Sequence, residues 1–292
     1  MRRYCRSRRP RDKENSVQDL LDLIEKRFGE RLEAPQDIAK GVETIRGLLD
    51  HRVIRRFSDK PVDMAMLRLL CAAALSSPTK SDLQQGDVLI VADAEKRAKI
   101  AGLLPDQPWM AKAPALLLFL GNNRRQRQIA EWRAKPWPND HLDSFFNAAV
   151  DGAIVMTTFV VAAEAAGLGC CPISTIRNHA RTVSDLCGLP AYVFPVAGLG
   201  VGWPADPGYM SARLPMAARV HVDRFDETAI RDKVDAYDRR RDGIFPYRQQ
   251  RDEARFGRAE FYGWSEDKAR QYATPDRADF GAYVRGQGFR LD

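Results

Sequence analysis

Arginine side chains in two distant parts of the chain are candidates for binding an anion. Residues 51–57 read HRVIRRF, and Arg213 lies in the second half of the sequence. Guanidinium groups bind phosphate through paired, charge-assisted hydrogen bonds. Taken alone, residues 51–57 could equally be a solvated basic strip. An isolated arginine such as Arg213 is usually a solvated surface charge. A phosphate site therefore requires further polar segments to accompany them.

Three other segments supply such groups. Residues 76–84, SSPTKSDLQ, have the composition of a loop rich in hydroxyl and amide groups. Residues 167–178 read GLGCCPISTIRN, and residues 198–206 read GLGVGWPAD. The last of these has GxGxG spacing and is followed by Trp203-Pro204, which does not open a helix, so the dinucleotide fingerprint is excluded. The sequence also contains no P-loop, GxSxG or HExxH motif.

Taken together and in this order, the four segments resemble the motifs of the nitroreductase family. Residues 51–57 resemble its arginine-rich opening strip, and residues 76–84 resemble its PSSxNxQ loop. Residues 167–178 are similar to its GLGxxxIGGIRN segment, and residues 198–215 to its GxxxGxP strand end with a downstream arginine. The resemblance begins near residue 44, extends to the C-terminus, and is strongest to the NADPH-flavin oxidoreductase branch.

The resemblance implies an α+β fold in which helices flank a central, mostly antiparallel sheet. It also implies a homodimer joined through long central helices, with FMN bound at the interface and touched by both chains. His51 and Arg52 are then expected near the phosphate and ribityl chain, and Arg55 near N1 and O2, where negative charge collects on reduction. Arg213, from the second half of the chain, is also expected to bind the phosphate.

No side chain is expected to act as a nucleophile or acid, and no metal is expected. A backbone N–H near Ser174 or Thr175 is expected to point at flavin N5, as a fixed donor. The cofactor-binding residues implied by the resemblance are His51, Arg52, Val53, Arg55, Thr79, Ser81, Gln84, Pro172, Ile173, Ser174, Thr175 and Arg213.

The sequence departs from the family pattern at several of these positions. Val53 replaces a frequent serine, Asp82 an asparagine, and Ser211 a lysine of the related branch. Ser174-Thr175 replaces Gly-Gly beside N5. These changes predict altered FMN affinity and a narrower space over N5, with acceptors beyond the usual nitroaromatics.

The function implied is an FMN-dependent oxidoreductase that uses NADPH or NADH in a ping-pong reaction. Its acceptors would be nitroaromatics, quinones, flavins or activated alkenes. Arg239–Arg241 and Arg248 are candidates for an NADPH 2′-phosphate, with a solvated helix face as the alternative. Three other functions stay open: a specialised member of the fold that removes a ring substituent reductively, a flavin-binding protein without turnover, and a nucleic-acid-associated protein.

The charge distribution argues against the nucleic-acid alternative. Residues 1–13 hold seven basic side chains and one acidic one, so they contribute +6 of the net charge of +7. Such a run is usually a disordered, solvated tail. The five cysteines include no CxxC pair, which favours a reducing compartment and a cytoplasmic location.

The hydrophobic pattern predicts the elements that position these segments. Apolar runs predict strands over 87–92, 113–120 and 192–200, and helical spacing predicts helices within 14–50 and over 61–75. Residues 144–167 form a helix long enough to cross a membrane, but the acidic Asp151 and Glu164 within it favour burial in a core or interface.

The expected organisation has four parts. A basic tail (1–15) and a helical extension (16–43) precede an FMN-binding core (44–225). A C-terminal excursion of the same domain (226–292) follows it.

Overall fold

The structure is a computed structural model that describes the backbone of residues 10–35 and 41–292, with side chains from residue 17 onward. Most of the predicted basic tail, residues 1–9, lies outside the described residues. The chain forms two compact units. We call Arg52–Tyr209 together with Arg277–Asp292 the sheet unit, and Met1–His51 together with Met210–Asp276 the helical unit.

Four antiparallel strands form the centre of the sheet unit, in the order β1-β2-β4-β3. Their bounds are β1 Gly86–Ile90, β2 Ala115–Asn122, β3 Gly169–Ile173 and β4 Val193–Gly202. The three predicted strands are confirmed to within a few residues. The strand β3 was not predicted, because its segment was interpreted only as a source of backbone donors.

Helices cover both faces of this sheet. Leu117 and Phe119 of β2 face a core that includes Leu70 and Phe159, whereas Leu116 and Leu118 face a second core. An apolar run without alternation is what a strand buried on both faces requires. The predicted α+β fold with a mostly antiparallel sheet flanked by helices is confirmed.

Two helices of the sheet unit, α3 Met64–Leu75 and α6 Leu142–Ala165, lie close to the predicted ranges. Four further helices of this unit were not predicted: α4 Ala94–Gly102, α5 Arg124–Trp132, α7 Ala180–Cys187 and α11 Phe280–Gly286. The helix predicted over 61–75 begins later than expected, at Met64, so Pro61 lies before its N-cap. The N-cap is Asp63, whose side chain accepts a hydrogen bond from the Met66 N–H, and a side-chain oxygen at this position stabilises a helix start.

Helix α6 is the long apolar helix predicted over 144–167. Among the described residues it alone has the length and apolarity of a membrane-spanning helix, a property that the core helix of a soluble protein shares. Val155 and Phe159 are buried in the core, whereas Phe146 and Val150 are exposed in the single chain. One face is therefore buried as predicted, and the opposite face is apolar and uncovered.

The described part of the helical unit is built from helices. Its helices are α1 Pro10–Phe28, α2 Val42–Leu49, α8 Ile230–Ile244, α9 Glu253–Phe256 and α10 Trp264–Tyr272. Residues predicted as helical within 14–50 therefore form two helices. The aromatic rings of Tyr237 on α8 and Trp264 on α10 pack edge to face, with 5.4 Å between their centroids.

Candidate functional site

The arginine-rich strip begins beside β3. Val53 forms a parallel bridge with Cys170, and the Ile54 N–H donates to the Cys170 carbonyl at 2.9 Å. Ile54 is buried, whereas the next side chain, Arg55, is exposed, and its positive charge acts on the nearby Cys171 thiol to lower its pKa. The sheet edge therefore holds the backbone of the strip while Arg55 stays open to a ligand.

Gly169 is what allows the strip to approach β3 so closely. A Cβ at this position would lie 2.6 Å from the Cβ and Cγ1 atoms of Ile54. Real Cβ contacts essentially never reach that distance. The glycine of the GLG motif thus has a packing role in placing Arg55.

The other end of the strip meets the segment that follows β4. Phe57 bridges Pro204, and the Ala205 N–H donates to the Arg56 carbonyl at 2.9 Å. Arg56 and Asp206 form an ion pair at 3.3 Å. The strip, the β3 segment and the β4 end therefore converge, so three of the four motifs meet within the sheet unit.

Arg52, in the same strip, contacts the segment that follows β4. Its Nη1 donates to the Pro207 carbonyl at 3.4 Å, a long hydrogen bond. This contact ties the arginine side chain to the residues beyond β4.

Side chains alternate along the end of β3. Pro172 and Ser174 are exposed, whereas Ile173 is buried in the core, so Ile173 can offer a ligand only its backbone. The ladder with β4 ends at Ile173, and a short 3₁₀ helix, Ser174–His179, follows. The first N–H groups of a helix receive no partner from the helix itself. The Thr175 hydroxyl accepts a hydrogen bond from Gln107 at 2.6 Å.

The loop before β1 has an unusual backbone. Ser81, Asp82 and Gln84 all have positive φ, at 49°, 56° and 52°, and such angles cost free energy in residues other than glycine. The Thr79 hydroxyl accepts from the Gln84 N–H at 3.2 Å. The Asp82 carboxylate accepts from the Gln84 side-chain amide at 3.1 Å, so it is bound within the loop itself.

A buried carboxyl group on α6 holds this loop in place. Asp151 is 1% exposed and accepts hydrogen bonds from the N–H groups of Lys80 and Gln85, each at 3.0 Å. Sequence reasoning noted Asp151 only as an argument against a membrane span. An acid in the middle of an apolar helix was the signal of a buried polar partner.

The loop and the strip lie at opposite edges of the sheet. The loop leads into β1, which is one edge, whereas the strip pairs with β3, which is the other. Three inter-strand spacings separate these edges, or roughly 14 Å. Thr79, Ser81 and Gln84 are therefore not brought to Arg55 by the strand pairing of a single chain.

The helical unit brings the remaining predicted residues together. The Arg27 guanidinium donates to the carbonyls of Leu49, His51 and Ser211. The Arg213 N–H in turn donates to the Arg27 carbonyl at 2.8 Å. His51, Ser211 and Arg213 thus surround a single buried arginine, which sequence reasoning missed because it looks like any basic residue of an amphipathic helix.

Local contacts orient the side chains of two further candidate arginines, Arg213 and Arg241. The Arg213 side chain donates to the Ser211 hydroxyl and to the Ala212 carbonyl. Arg241 lies over the Tyr247 ring, 4.0 Å from its centroid. These contacts orient both arginines without neutralising their charge.

Burial makes the adjacent cysteines unreactive, which is our first testable prediction. Burial raises the pKa of Cys171 to about 11, although the positive charge of Arg55 opposes this shift, and burial also raises the pKa of Cys170. Only the thiolate reacts, and at pH 8 a thiol of pKa about 11 is roughly 0.1% ionised. A thiol-reactive dye is expected to leave both cysteines unmodified in the native protein and to label them after denaturation, as mapped by peptide mass spectrometry. Rapid native labelling of Cys171 would contradict the buried environment.

The architecture described above is that of the nitroreductase-like fold. NfrA2 of B. megaterium superposes with a TM-score of 0.77 at 32% identity, covering 86% of this chain and 99% of that one. The NADPH:FMN oxidoreductase of Vibrio harveyi, solved in complex with NAD+, has a TM-score of 0.73 at 26% identity and covers 84% and 97% of the two chains.

Sequence comparison agrees with the fold. The model of the nitroreductase family matches residues 48–203, and that of its C-terminal domain matches residues 211–292. A Bacillus subtilis (strain 168) FMN reductase [NAD(P)H] is 32% identical over 253 residues, which are 86% of this chain and 99% of the relative. The chain belongs to the nitroreductase family, as its motifs predicted.

Proposed function

We propose that this chain is an FMN-dependent NAD(P)H oxidoreductase that reduces small electron-poor molecules. The observation that carries the proposal is the convergence of three motifs at one end of β3, in a chain of this family. There the exposed side chain of Arg55 lies near Cys171 of β3, the strand that leads into the Ser174–His179 segment. Nitroaromatics, quinones, flavins and activated alkenes are the acceptor classes that such an enzyme reduces.

The chemistry of these donors fits a flavin mononucleotide. By this proposal, Arg55 meets the negative charge that collects at N1 and O2, and backbone donors near Ser174 suit N5. Arg52 supplies a guanidinium group for the phosphate. FMN, when bound, supplies the hydride-accepting ring, and the residues of this chain supply position and charge.

We further propose that the active form is a homodimer. The two groups of predicted contacts lie at opposite edges of the sheet, so a partner subunit's loop is needed to complete a site that begins at Arg55. The exposed apolar face of α6, with Phe146 and Val150, is suited to burial against a second copy. Light scattering on the purified protein is expected to give twice the chain mass.

The remaining assignments follow from the same proposal. The FMN-binding core is residues 44–225, followed by the excursion 226–292. We propose Arg239, Arg241 and Arg248 as partners for a 2′-phosphate if NADPH is preferred, and equal turnover with NADH would contradict that role. Arg240 of the same run instead donates to the Arg27 and Arg213 carbonyls. Free thiols at four described cysteines are compatible with a cytoplasmic location.

Anaerobic mixing of the FMN-loaded protein with NADPH or NADH tests the proposal. We expect the flavin absorbance to bleach and then to recover when a quinone or a nitroaromatic is added. Protein that stays colourless after FMN addition would contradict FMN binding. Bound flavin that neither nicotinamide bleaches would instead favour the flavin-binding protein without turnover.

Replacing Arg55 is expected to weaken flavin binding. A charged hydrogen-bond partner contributes about 1.5–3 kcal/mol, so Arg55→Met should raise the FMN Kd by roughly 10- to 100-fold, measured by quenching of flavin fluorescence. The matched control is Arg56→Met, since this neighbour pairs with Asp206 and is 79% exposed. Equal Kd values for the two variants would show that Arg55 does not contact the cofactor.

A further inference from the structure

A cavity of about 760 Å³ lies in the sheet unit, beside helix α5. Its lining comes from residues 82–84 of the loop before β1, from α5, and from residues 133–139, which follow α5. We call it the α5 cavity. All of these residues belong to the sheet unit, so the cavity is contained in one compact unit. Cavities that bind small molecules generally measure about 300–1,000 Å³, so its size suits such a ligand.

Side chains of α5 fix the part of the cavity that the loop forms. The Arg125 guanidinium donates to both carboxylate oxygens of Asp87, at 2.8 and 2.9 Å, and to the Gln84 carbonyl at 2.8 Å. The Gln126 side-chain amide donates to the Leu83 carbonyl. The backbone of residues 83 and 84 is therefore attached to α5.

The segment after α5 is also held in place. Arg127 pairs with Asp140 at 2.6 Å, and Arg290 pairs with the same carboxylate at 3.3 Å. The Arg127 guanidinium lies 5.6 Å from the centroid of the Trp137 ring and 3.8 Å from that of Tyr192. Both parts of the lining are thus fixed by contacts outside the cavity, and a largely preformed shape is typical of ligand sites.

The charge of the lining is positive. Arg133 and Lys135 are exposed, and neither forms an ion pair with a residue that the structure describes. The acidic lining residue, Asp82, accepts from the Gln84 side chain, and Arg125 is paired with Asp87. Arg133 and Lys135 are therefore the charges that the lining offers to a ligand.

Two lining residues carry buried polar atoms that receive no hydrogen bond from the described part of the chain. They are Oε1 of Gln126, a residue that is only 7% exposed, and Nε1 of Trp137. Buried polar atoms nearly always have a partner, and leaving them without one costs free energy. An unmet acceptor and an unmet donor beside the cavity favour a ligand with polar groups.

We propose that the α5 cavity binds a planar aromatic anion. The Trp137 ring and its neighbours Pro136 and Pro138 supply an apolar surface for a flat ring. Arg133 and Lys135 supply charge-assisted hydrogen bonds for a carboxylate, sulfonate or phosphate. The ligand class follows from this combination of an aromatic ring and two cations in one lining. The inference goes beyond the proposed reductase function and does not depend on where the flavin lies.

Titration calorimetry with naphthoate and with its neutral counterpart naphthamide tests the proposal, because the two probes share the ring and differ in charge. The protein is used as purified, without a nicotinamide, so the result does not depend on turnover. We expect naphthoate to bind more tightly than naphthamide, with a Kd that rises as salt is added.

Removing the two cations is expected to weaken binding of the anion alone. In the double variant Arg133→Gln, Lys135→Gln the naphthoate Kd should rise about tenfold, while the naphthamide Kd should change by less than about twofold. Both side chains are exposed, so the variant is expected to fold. Trp137→Leu should instead raise the Kd of both probes, since it removes the aromatic surface.

Two matched controls come from α5 itself. Arg124→Gln removes a cation and Trp132→Leu an indole ring that is 69% exposed, and neither residue lines the cavity. Each control is expected to change both Kd values by less than about twofold. Changes in the controls as large as those in the cavity variants would overturn the proposed site.

Two further results would also overturn the proposal. One is the absence of saturable naphthoate binding to the wild type. The other is naphthoate binding that perturbs the flavin absorbance and is unchanged in the cavity variants, because the probe would then lie at the flavin. Neither result affects the proposed reductase function, which is judged by bleaching of the flavin with NADPH or NADH.

Discussion

Replacing Asp151 by alanine is expected to lower the free energy of unfolding by about 3 kcal/mol, because one buried and one partly buried N–H group lose their acceptor. The carboxyl group is 1% exposed and accepts from the N–H groups of Lys80 and Gln85. An unsatisfied buried donor costs about 1–3 kcal/mol. Urea denaturation, with the slope checked for constancy, measures the change.

The same substitution is expected to release the loop before β1. Ser81, Asp82 and Gln84 hold positive φ angles, which persist only where surrounding contacts impose them. Hydrogen exchange at residues 80–85 should therefore accelerate more than exchange in β2. Because Thr79, Ser81 and Gln84 are proposed to contact the cofactor, the affinity for FMN should fall as well.

Two control variants make the Asp151 prediction specific. Asp151→Asn keeps one carbonyl oxygen and should cost less than the alanine variant. Asp143→Ala removes an exposed acid from the first turn of α6 and should cost less than about 1 kcal/mol. If Asp151→Ala were no more destabilising than Asp143→Ala, the two backbone contacts would not be important for stability.

Gly169→Ala is expected to destabilise the protein by about 2 kcal/mol through a steric clash. The added methyl group would lie 2.6 Å from the Cβ of Ile54, which is the stem of that side chain and not its flexible end. The strip must therefore move away from β3 and carry Arg55 with it. A lower melting temperature and a raised FMN Kd would be measured together.

Gly198→Ala is the matched control on the neighbouring strand. Its added Cβ would lie 3.6 Å from Ile173 and 3.7 Å from Leu118, which are ordinary van der Waals distances. The expected change in stability is within about 0.5 kcal/mol. Equal destabilisation at both glycines would indicate a general loss of strand flexibility and would contradict the specific clash with Ile54.

The strands illustrate how far the sequence alone could predict the fold. The strand β2 was predictable because an apolar run of eight residues, buried throughout, has few alternatives. The strand β3 was not, because GCCPI contains a proline and lacks alternation. Proline is tolerated in a strand at a sheet edge, and the position of β3 at the edge is known only from its pairing with β4.

The residues of the candidate site were likewise only partly predictable from the sequence. The four motifs were recognisable from residue types and order, since each consists of residues close together in the chain. Asp151 was visible as an acid in an apolar helix, but its partners lie 71 and 66 residues away. Arg27 gave no signal in the sequence, because a basic residue in an amphipathic helix is usually solvated.

The sequence by itself determined the family, the cofactor chemistry and the main elements, because these depend on local residue types and on hydrophobic spacing. The tertiary structure alone decided which motifs meet: the strip with β3 and the β4 end, and His51 with Arg213 around Arg27. It also decided that the loop before β1 lies at the opposite sheet edge from the strip. The physical reason is that long-range backbone pairing and burial, which no single segment encodes, set these distances.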